Sequence, residues 1–272
     1  MRHVELHHGA RTDVGLVREV NEDSYLATPP VFVVADGMGG HDGGDVASRI
    51  VVEEFARLAD DDYDPTRGAD LAAAALLECQ RRISDYGAEQ LAESAARGYA
   101  GTTVVAALLV DDGGPKWLLI NLGDSRIYRL KDEALEQVSI DHSVVQELVD
   151  AGTITSEDAA THPERHVITR ALGGPEFSHA DYFLLPLASV ERLLLCSDGI
   201  SGMIDDEAIA EVLVSSEDPR DAADELVQRA LAAGGRDNAT AVVIDVVGWA
   251  DVPDDHSDRQ RLSLEQKPGA LP

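Results

Sequence analysis

The chain has 272 residues, and 51 aspartates and glutamates outnumber its 22 lysines and arginines, for a formal net charge of −29 at pH 7. Nucleic acid and anionic membrane surfaces both require clustered positive charge, so the balance argues against either partner. Hydrophobic content of 44% lies far above the disordered range, so a substantial core is expected; with only 4% aromatics, Leu, Val, Ile and Ala must fill it.

In chain order, residues 1–9 carry His3, His7 and His8, lack the apolar stretch of a signal peptide, and are expected to form an N-terminal extension with frayed histidines. Residues 31–35 are a short apolar run ending in Asp36-Gly37, a strand followed by a turn. Segments 45–58 and 70–97 are rich in alanine and leucine with charged faces, which predicts two successive helices. Strand-like segments follow at 102–110, 117–122 and 127–130, joined by Gly- and Asp-rich connections that predict antiparallel hairpins. Residues 143–151 and 156–160 read as short helices inside a polar stretch, 141–170, that is suited to a flap over a site. Strands at 181–185 and 192–196, helices at 206–215 and 219–233, and a strand at 239–247 complete the pattern. Strands cluster and helices come in pairs, so α+β layering is favoured over a doubly wound parallel sheet. The domain is expected to span 10–248, with 249–272 a flexible C-terminal tail whose composition turns to Asp, Pro, Gln and Arg.

Cys79 and Cys196 stand outside any C-x-x-C pattern, so reduced thiols in a cytoplasmic protein are expected rather than a disulfide scaffold or zinc ribbon. The longest aliphatic stretches fall well short of the roughly 20 residues needed to cross a bilayer.

Acidic residues sit beside glycine or asparagine at predicted strand ends: Asp36-Gly37, Gly123-Asp124, Asp198-Gly199 and Asp237-Asn238. One such Asp is ordinarily an Asx turn. Several in one domain, with glycines that let carbonyls approach, also suit a shared divalent cation, and oxygen-only ligands point to Mg²⁺ or Mn²⁺. Both readings stand on pattern alone. Nearby, Arg18 has the planar fork that grips phosphate, although a lone Arg is ordinarily a surface ion pair. Competing motifs fail on spacing. The glycine stretch from Gly37 to Gly44 lacks both the P-loop Gly-Lys-Ser/Thr and G-x-G-x-x-G; Gly123-Asp124-Ser125-Arg126-Ile127 is not a nucleophile elbow; and Pro163 spoils a His-Glu-x-x-His reading.

The ordered motifs are Thr12-Asp13-x-Gly15-x-x-Arg18-x-x-Asn21-Glu22-Asp23, Val34-Ala35-Asp36-Gly37-Met38-Gly39-Gly40-His41, Gly101-Thr102-Thr103 and Asn121-Leu122-Gly123-Asp124-Ser125-Arg126. Asp141-His142-Ser143, Thr169-Arg170-Ala171-Leu172-Gly173, Leu195-Cys196-Ser197-Asp198-Gly199 and Gly235-Arg236-Asp237-Asn238-Ala239-Thr240 follow. From about Ala10 to Val247 the chain resembles the bacterial branch of the metal-dependent Ser/Thr protein phosphatases, the PPM or type 2C family. The resemblance implies a four-layer α-β-β-α sandwich of two antiparallel sheets flanked by helices. It also implies two Mn²⁺ or Mg²⁺ ions and, more weakly, a third. Carried over by position, Asp36 bridges the two ions, Gly37 offers its carbonyl, Asp198 and Asp237 hold one ion, and Glu22 acts through water. Asp124 matches the third position, Arg18 takes the substrate phosphate, and Asp23 and Asn238 support the ligands from behind.

Two departures matter. Met38 stands where eukaryotic relatives often have a histidine proposed as general acid, leaving His41 as a nearby alternative donor. Gly202 replaces an Asp that many relatives use at the third metal, and His166, in the flap, is expected at the surface. The implied activity is hydrolysis of phosphoserine and phosphothreonine in proteins by a metal-activated water, opposing a bacterial Ser/Thr kinase in signalling, with a cytoplasmic monomer as the working form. A catalytically silent phosphoprotein adaptor with the same fold is the alternative, and a sporulation-type stress regulator fits less well because no sensor domain has room.

Overall fold

Apolar runs that do not alternate make sense when both faces of a strand are buried. In a computed structural model, which describes residues 3–39, 43–60, 62–93, 100–175 and 177–250, β3 (Val31–Ala35) is buried at every position. Phe32 and Val34 point one way, packing with Trp117, Ile127, Leu193, Leu195, Val242 and Ile244. Val31, Val33 and Ala35 point the other way, onto Ala47, Val51, Phe55 and Leu76. The same period of two splits Leu193 and Leu195 from Leu194 and Cys196.

Two five-stranded antiparallel sheets result. One runs β1 (His3–Asp13), β12 (Ala239–Ala250), β11 (Arg192–Cys196), β8 (Arg126–Lys131), β9 (Ala134–Gln137). The other runs β10 (Asp181–Pro186), β7 (Pro115–Leu122), β6 (Val104–Asp111), β3, β2 (Ser24–Thr28). Helices α1 (Gly44–Ala56) and α2 (Gly68–Glu93) cover the second sheet, while α6 (Asp206–Ser215) and α7 (Pro219–Ala232) cover the first. The four-layer sandwich expected from the motifs is therefore the fold. Cys79 and Cys196 are free and buried in different helix–sheet layers, and burial pushes both thiols up to about 12. Among the described residues, no helix is long and apolar enough to cross a membrane.

The N-terminal extension is a correction. Residues 3–9 are the first part of β1, paired antiparallel with β12 from His3↔Ala250 to Asp13↔Ala239. Val4, Leu6 and Ala10 reach the inter-sheet core, and His8 packs edge-on against Phe32 with ring centroids 5.5 Å apart. A histidine in an inward position hides the alternation, which is why the segment reads as frayed. The strand expected at 239–247 extends through Ala250, so residues 249 and 250 belong to β12, and the rest of the expected tail lies outside the described residues. The helix expected at 70–97 begins at Gly68 and is described to Glu93; its last four residues lie outside the described residues.

Candidate active site

The expected acids gather at one end of the sandwich because each sits where a buried strand stops. Asp36 follows β3, Asp124 follows β7, Asp198 opens the short α5 (Asp198–Ser201) after β11, and Asp237 precedes β12. Glu22 and Arg18 lie in the connection from β1 to β2. Arg18, Glu22, Asp36, Gly37, Asp124, Asp198, Asp237 and Asn238 all line one cavity of ≈ 820 Å³. Asp23 stands behind it, buried.

Backbone contacts set the floor. Asp36 donates its N–H to Thr103 Oγ1 (3.1 Å), and its carbonyl accepts from Thr103 N–H and Thr102 Oγ1, both at 2.9 Å. Gly37 pairs with Thr102 in a two-residue ladder, β4 (Gly37–Met38) with β5 (Gly101–Thr102). A Cβ at Gly37 would stand 2.2 Å from the Gly44 carbonyl and 2.6 Å from that of Glu22, so no side chain fits there. Asn238 accepts the Glu22 N–H at 2.8 Å and donates to the Val14 and Val20 carbonyls at 2.9 and 3.0 Å. It is a clasp for the Arg18 loop.

Charge is what distinguishes this cavity. Burial, followed by the neighbouring carboxylates Asp23, Asp198, Asp124 and Asp237, drives Asp36 well above the usual carboxylate range. Burial and then Asp198 and Asp141 push Asp124 up to about 8. Asp23 rises to about 7 through burial, although hydroxyls of Thr240 and Ser197, each 2.7 Å from its Oδ2, hold it down. Its Oδ1 is buried without a partner among the described residues. Asp198 rises through burial and Asp237, tempered by a hydrogen bond with Asp36. Crowding acids together raises their pKa values because like charges in a poorly hydrated site disfavour ionisation of one another. Loss of hydration works against the Arg18 charge, yet Asp237, Glu22 and Asp36 outweigh it and raise its pKa; Arg18 Nη2 donates to Asp237 Oδ2 at 2.7 Å.

The donor set is all oxygen, and among the described residues its five carboxylates outnumber the three arginines that line the cavity, which fits hard divalent cations. Among the described residues, no three His, Cys, Asp or Glu side chains stand close enough together to hold a metal ion as they are; the carboxylates line a common cavity.

The flap forms the far wall. Its helices α3 (Val144–Asp150) and α4 (Ser156–Thr161) lead to Arg165, His166 and Ile168, which line the cavity. His166 is exposed, as expected, but on the cavity side. Met38 lines the cavity and has no proton to give; His41 lies outside the described residues. Gly202 also lines the cavity and supplies no carboxylate.

Sequence reasoning missed the polar scaffold behind the acids. Arg126 grips Asp141 through Nε and Nη2 at 3.0 and 2.8 Å. His142 is buried at the flap base: the Gly123 N–H donates to its Nδ1 (3.1 Å), and its Nε2 meets Asp181 (3.1 Å), which also accepts from Arg170 (3.1 Å). The turn bearing Asp124 is thereby tied to the flap. Polar residues interrupting apolar strand runs, such as Asn121, Ser197 and Thr240, were the available signal.

Residues 18–238 match the family model described as protein phosphatase 2C. The chain is 41% identical over 244 residues to serine/threonine protein phosphatase PstP of Mycobacterium tuberculosis, covering 90% of this chain and 46% of that protein, so it spans about half the length of that curated relative. It is 35% identical over 248 residues to serine/threonine phosphatase stp of Listeria monocytogenes, covering 88% of this chain and 96% of that one. Among solved structures, the catalytic domain of PstP in complex with two manganese ions superposes with a TM-score of 0.76 at 38% identity, covering 89% of this chain and 99% of that one. With the acid-lined cavity at the end of an α-β-β-α sandwich, these matches mean that the chain belongs to the protein phosphatase 2C family of metal-dependent Ser/Thr protein phosphatases.

Proposed function

We propose that the chain hydrolyses phosphoserine and phosphothreonine in proteins, using Mn²⁺ or Mg²⁺ and a water nucleophile. The convergence of Glu22, Asp36, Asp124, Asp198 and Asp237 with Arg18 around one cavity carries this reading. Asp36, the Gly37 carbonyl, Asp198 and Asp237 are the groups to hold two ions, with Glu22 acting through water and Asp124 available to a third. Bound there, such ions supply Lewis acidity and a lowered pKa for water.

The chain's own residues do the rest. Arg18 offers its guanidinium fork to the phosphoryl oxygens, and exchanging some of its contact with Asp237 for phosphate costs little because both partners are anionic. Burial and neighbouring acids raise the pKa values of Asp36 and Asp198, and cationic charge placed between them would favour their ionised forms. Asp23 and Asn238 fix neighbouring backbone and carboxylates from behind, which preserves geometry while charge changes. With water as the nucleophile no phosphoenzyme forms, and Cys196 and Ser197, buried and engaged in packing and hydrogen bonds, need no catalytic role.

The silent adaptor is not supported, since a phosphate-binding scaffold has no use for so many uncompensated carboxylates. The phosphatase unit corresponds to the sandwich. A role opposing a Ser/Thr kinase, in the cytoplasm and as a monomer, belongs to the same proposal and rests on the family's character. The deciding assay is turnover of p-nitrophenyl phosphate and a phosphothreonine peptide with and without Mn²⁺, beside Asp198→Asn. Metal-dependent turnover abolished by that substitution is expected; inactivity with several divalent ions would overturn the reading.

A further inference from the structure

The loop carrying Arg18 is unusually apolar for so exposed a place. Leu16, Val17 and Val20 are 69%, 65% and 60% exposed. Scattered surface aliphatics need no explanation. These three fall within five positions of a chain whose net charge is −29, and Arg18 stands among them.

The loop is also held in place. Asn238 Nδ2 donates to the carbonyls of Val14 and Val20, clasping both ends. The Leu16 N–H donates to the Gly235 carbonyl at 2.7 Å. Gly15 adopts φ +82°, and a Cβ there would stand 2.3 Å from the Asp237 carbonyl. The side chains are thus presented around Arg18 by a fixed backbone, and a surface that is already ordered loses little entropy when something binds it.

We propose that this loop selects substrates: Leu16, Val17 and Val20 receive apolar side chains next to the phosphorylated residue while Arg18 holds the phosphate. The preferred substrates are segments in which aliphatic or aromatic residues adjoin the phosphoserine or phosphothreonine. Acidic neighbours are disfavoured, because these aliphatic side chains offer a carboxylate no partner and Glu19 stands in the same loop. Continuity with the phosphate grip identifies the occupant: Arg18 lines the cavity while its sequence neighbours Leu16, Val17 and Val20 stand exposed outside it, where the residues flanking a phosphate held by Arg18 would emerge. The inference rests on the phosphatase reading above.

The test uses the full chain with Mn²⁺ and phosphothreonine peptides identical except for Leu, Ser or Glu on both sides of the phosphothreonine. Wild type is expected to favour Leu over Ser by roughly tenfold in kcat/KM, the scale of partly burying an aliphatic side chain, and to disfavour Glu further. The Val17→Ser/Val20→Ser variant should bring Leu and Ser within about twofold while leaving p-nitrophenyl phosphate turnover unchanged, because that small substrate leaves the loop uncovered. If the double variant loses thermal stability, Val17→Thr alone, nearly isosteric, should narrow the preference in the same direction. Equal use of the three peptides by wild type, or an unchanged preference in the variants, would overturn the proposal. So would concentration-dependent self-association that the variant abolishes, since a second copy would then be the occupant. Failure on p-nitrophenyl phosphate as well as every peptide would sink the phosphatase reading beneath it.

Discussion

Two sets of sheltered carboxylates in this chain are treated in opposite ways. Glu54 lies against Arg57 and Arg82 at 2.8 and 2.6 Å, Asp141 is gripped by Arg126, and Asp245 meets Arg192 at 2.6 and 2.8 Å while Arg192 also serves the carbonyls of Leu213 and Ser216. Asp23, Asp36, Asp124 and Asp198 sit among one another, and their pKa values are raised. An arginine fork compensates a buried carboxylate within the fold; a cluster of acids withholds that compensation and leaves it to something brought from outside. The first arrangement serves stability. The second gives up stability for binding, as strained or repelled groups at functional sites do.

Substituting one member of each set tests this contrast. Arg192→Ala leaves Asp245 and two helix-end carbonyls without their donor, and should cost about 3–5 kcal/mol. Thermal melting should fall by roughly 10 °C, with the specific activity of the folded fraction unchanged. A melting point within a degree or two of wild type would remove the stabilising role.

Asp36→Asn should do the reverse. Turnover should fall by more than about 100-fold, beyond what is typical for groups that merely support a metal ligand. The metal-free protein should melt no lower than wild type, because a repelled carboxylate has gone. Activity within a few-fold of wild type would mean that Asp36 has been misassigned.

His142→Leu should reduce kcat by about tenfold, since it unties the Asp124 turn from the flap. His142→Asn, whose side-chain carbonyl can accept the Gly123 N–H, should recover part of that loss. Equal defects in the two variants would indicate packing alone.

The mildest effect concerns pH. In the metal-free protein Asp23 and Asp124 titrate near 7 and 8, against 3.8 unfolded, so the folded state holds their protons more tightly. Their contribution to stability is complete below about pH 4 and is lost as pH rises through 7 to 8. Metal-free melting should therefore drop by a few degrees between pH 5.5 and 8, while stabilisation by added Mn²⁺ grows over the same interval. Calorimetry in two buffers of different ionisation enthalpy should show proton release on Mn²⁺ binding. Stabilisation independent of pH would separate the ions from these carboxyls.

Much of this was legible beforehand where the signal is local. Val31–Ala35 and Arg192–Cys196 are strands as expected, and the acids that follow them share the cavity. A buried run must end where its backbone turns toward water, and a short polar residue beside glycine is how chains turn. Edge strands were harder. Ser24–Thr28 and Ala134–Gln137 are partly exposed and short, so neither hydrophobicity nor length marks them.

Residue order alone was enough to single out the acids that line the cavity and to set them at strand ends, because composition, spacing and turn chemistry act within a few positions. Distant pairing settled the rest. His3–Gly9 became strand through β12, more than 200 residues away. Asp141 was compensated by Arg126 from a neighbouring strand, and His142 joined the Asp124 turn to Asp181. Whether a carboxylate is neutralised or left to repel its neighbours depends on which side chains arrive beside it, and that is a property of the packed chain.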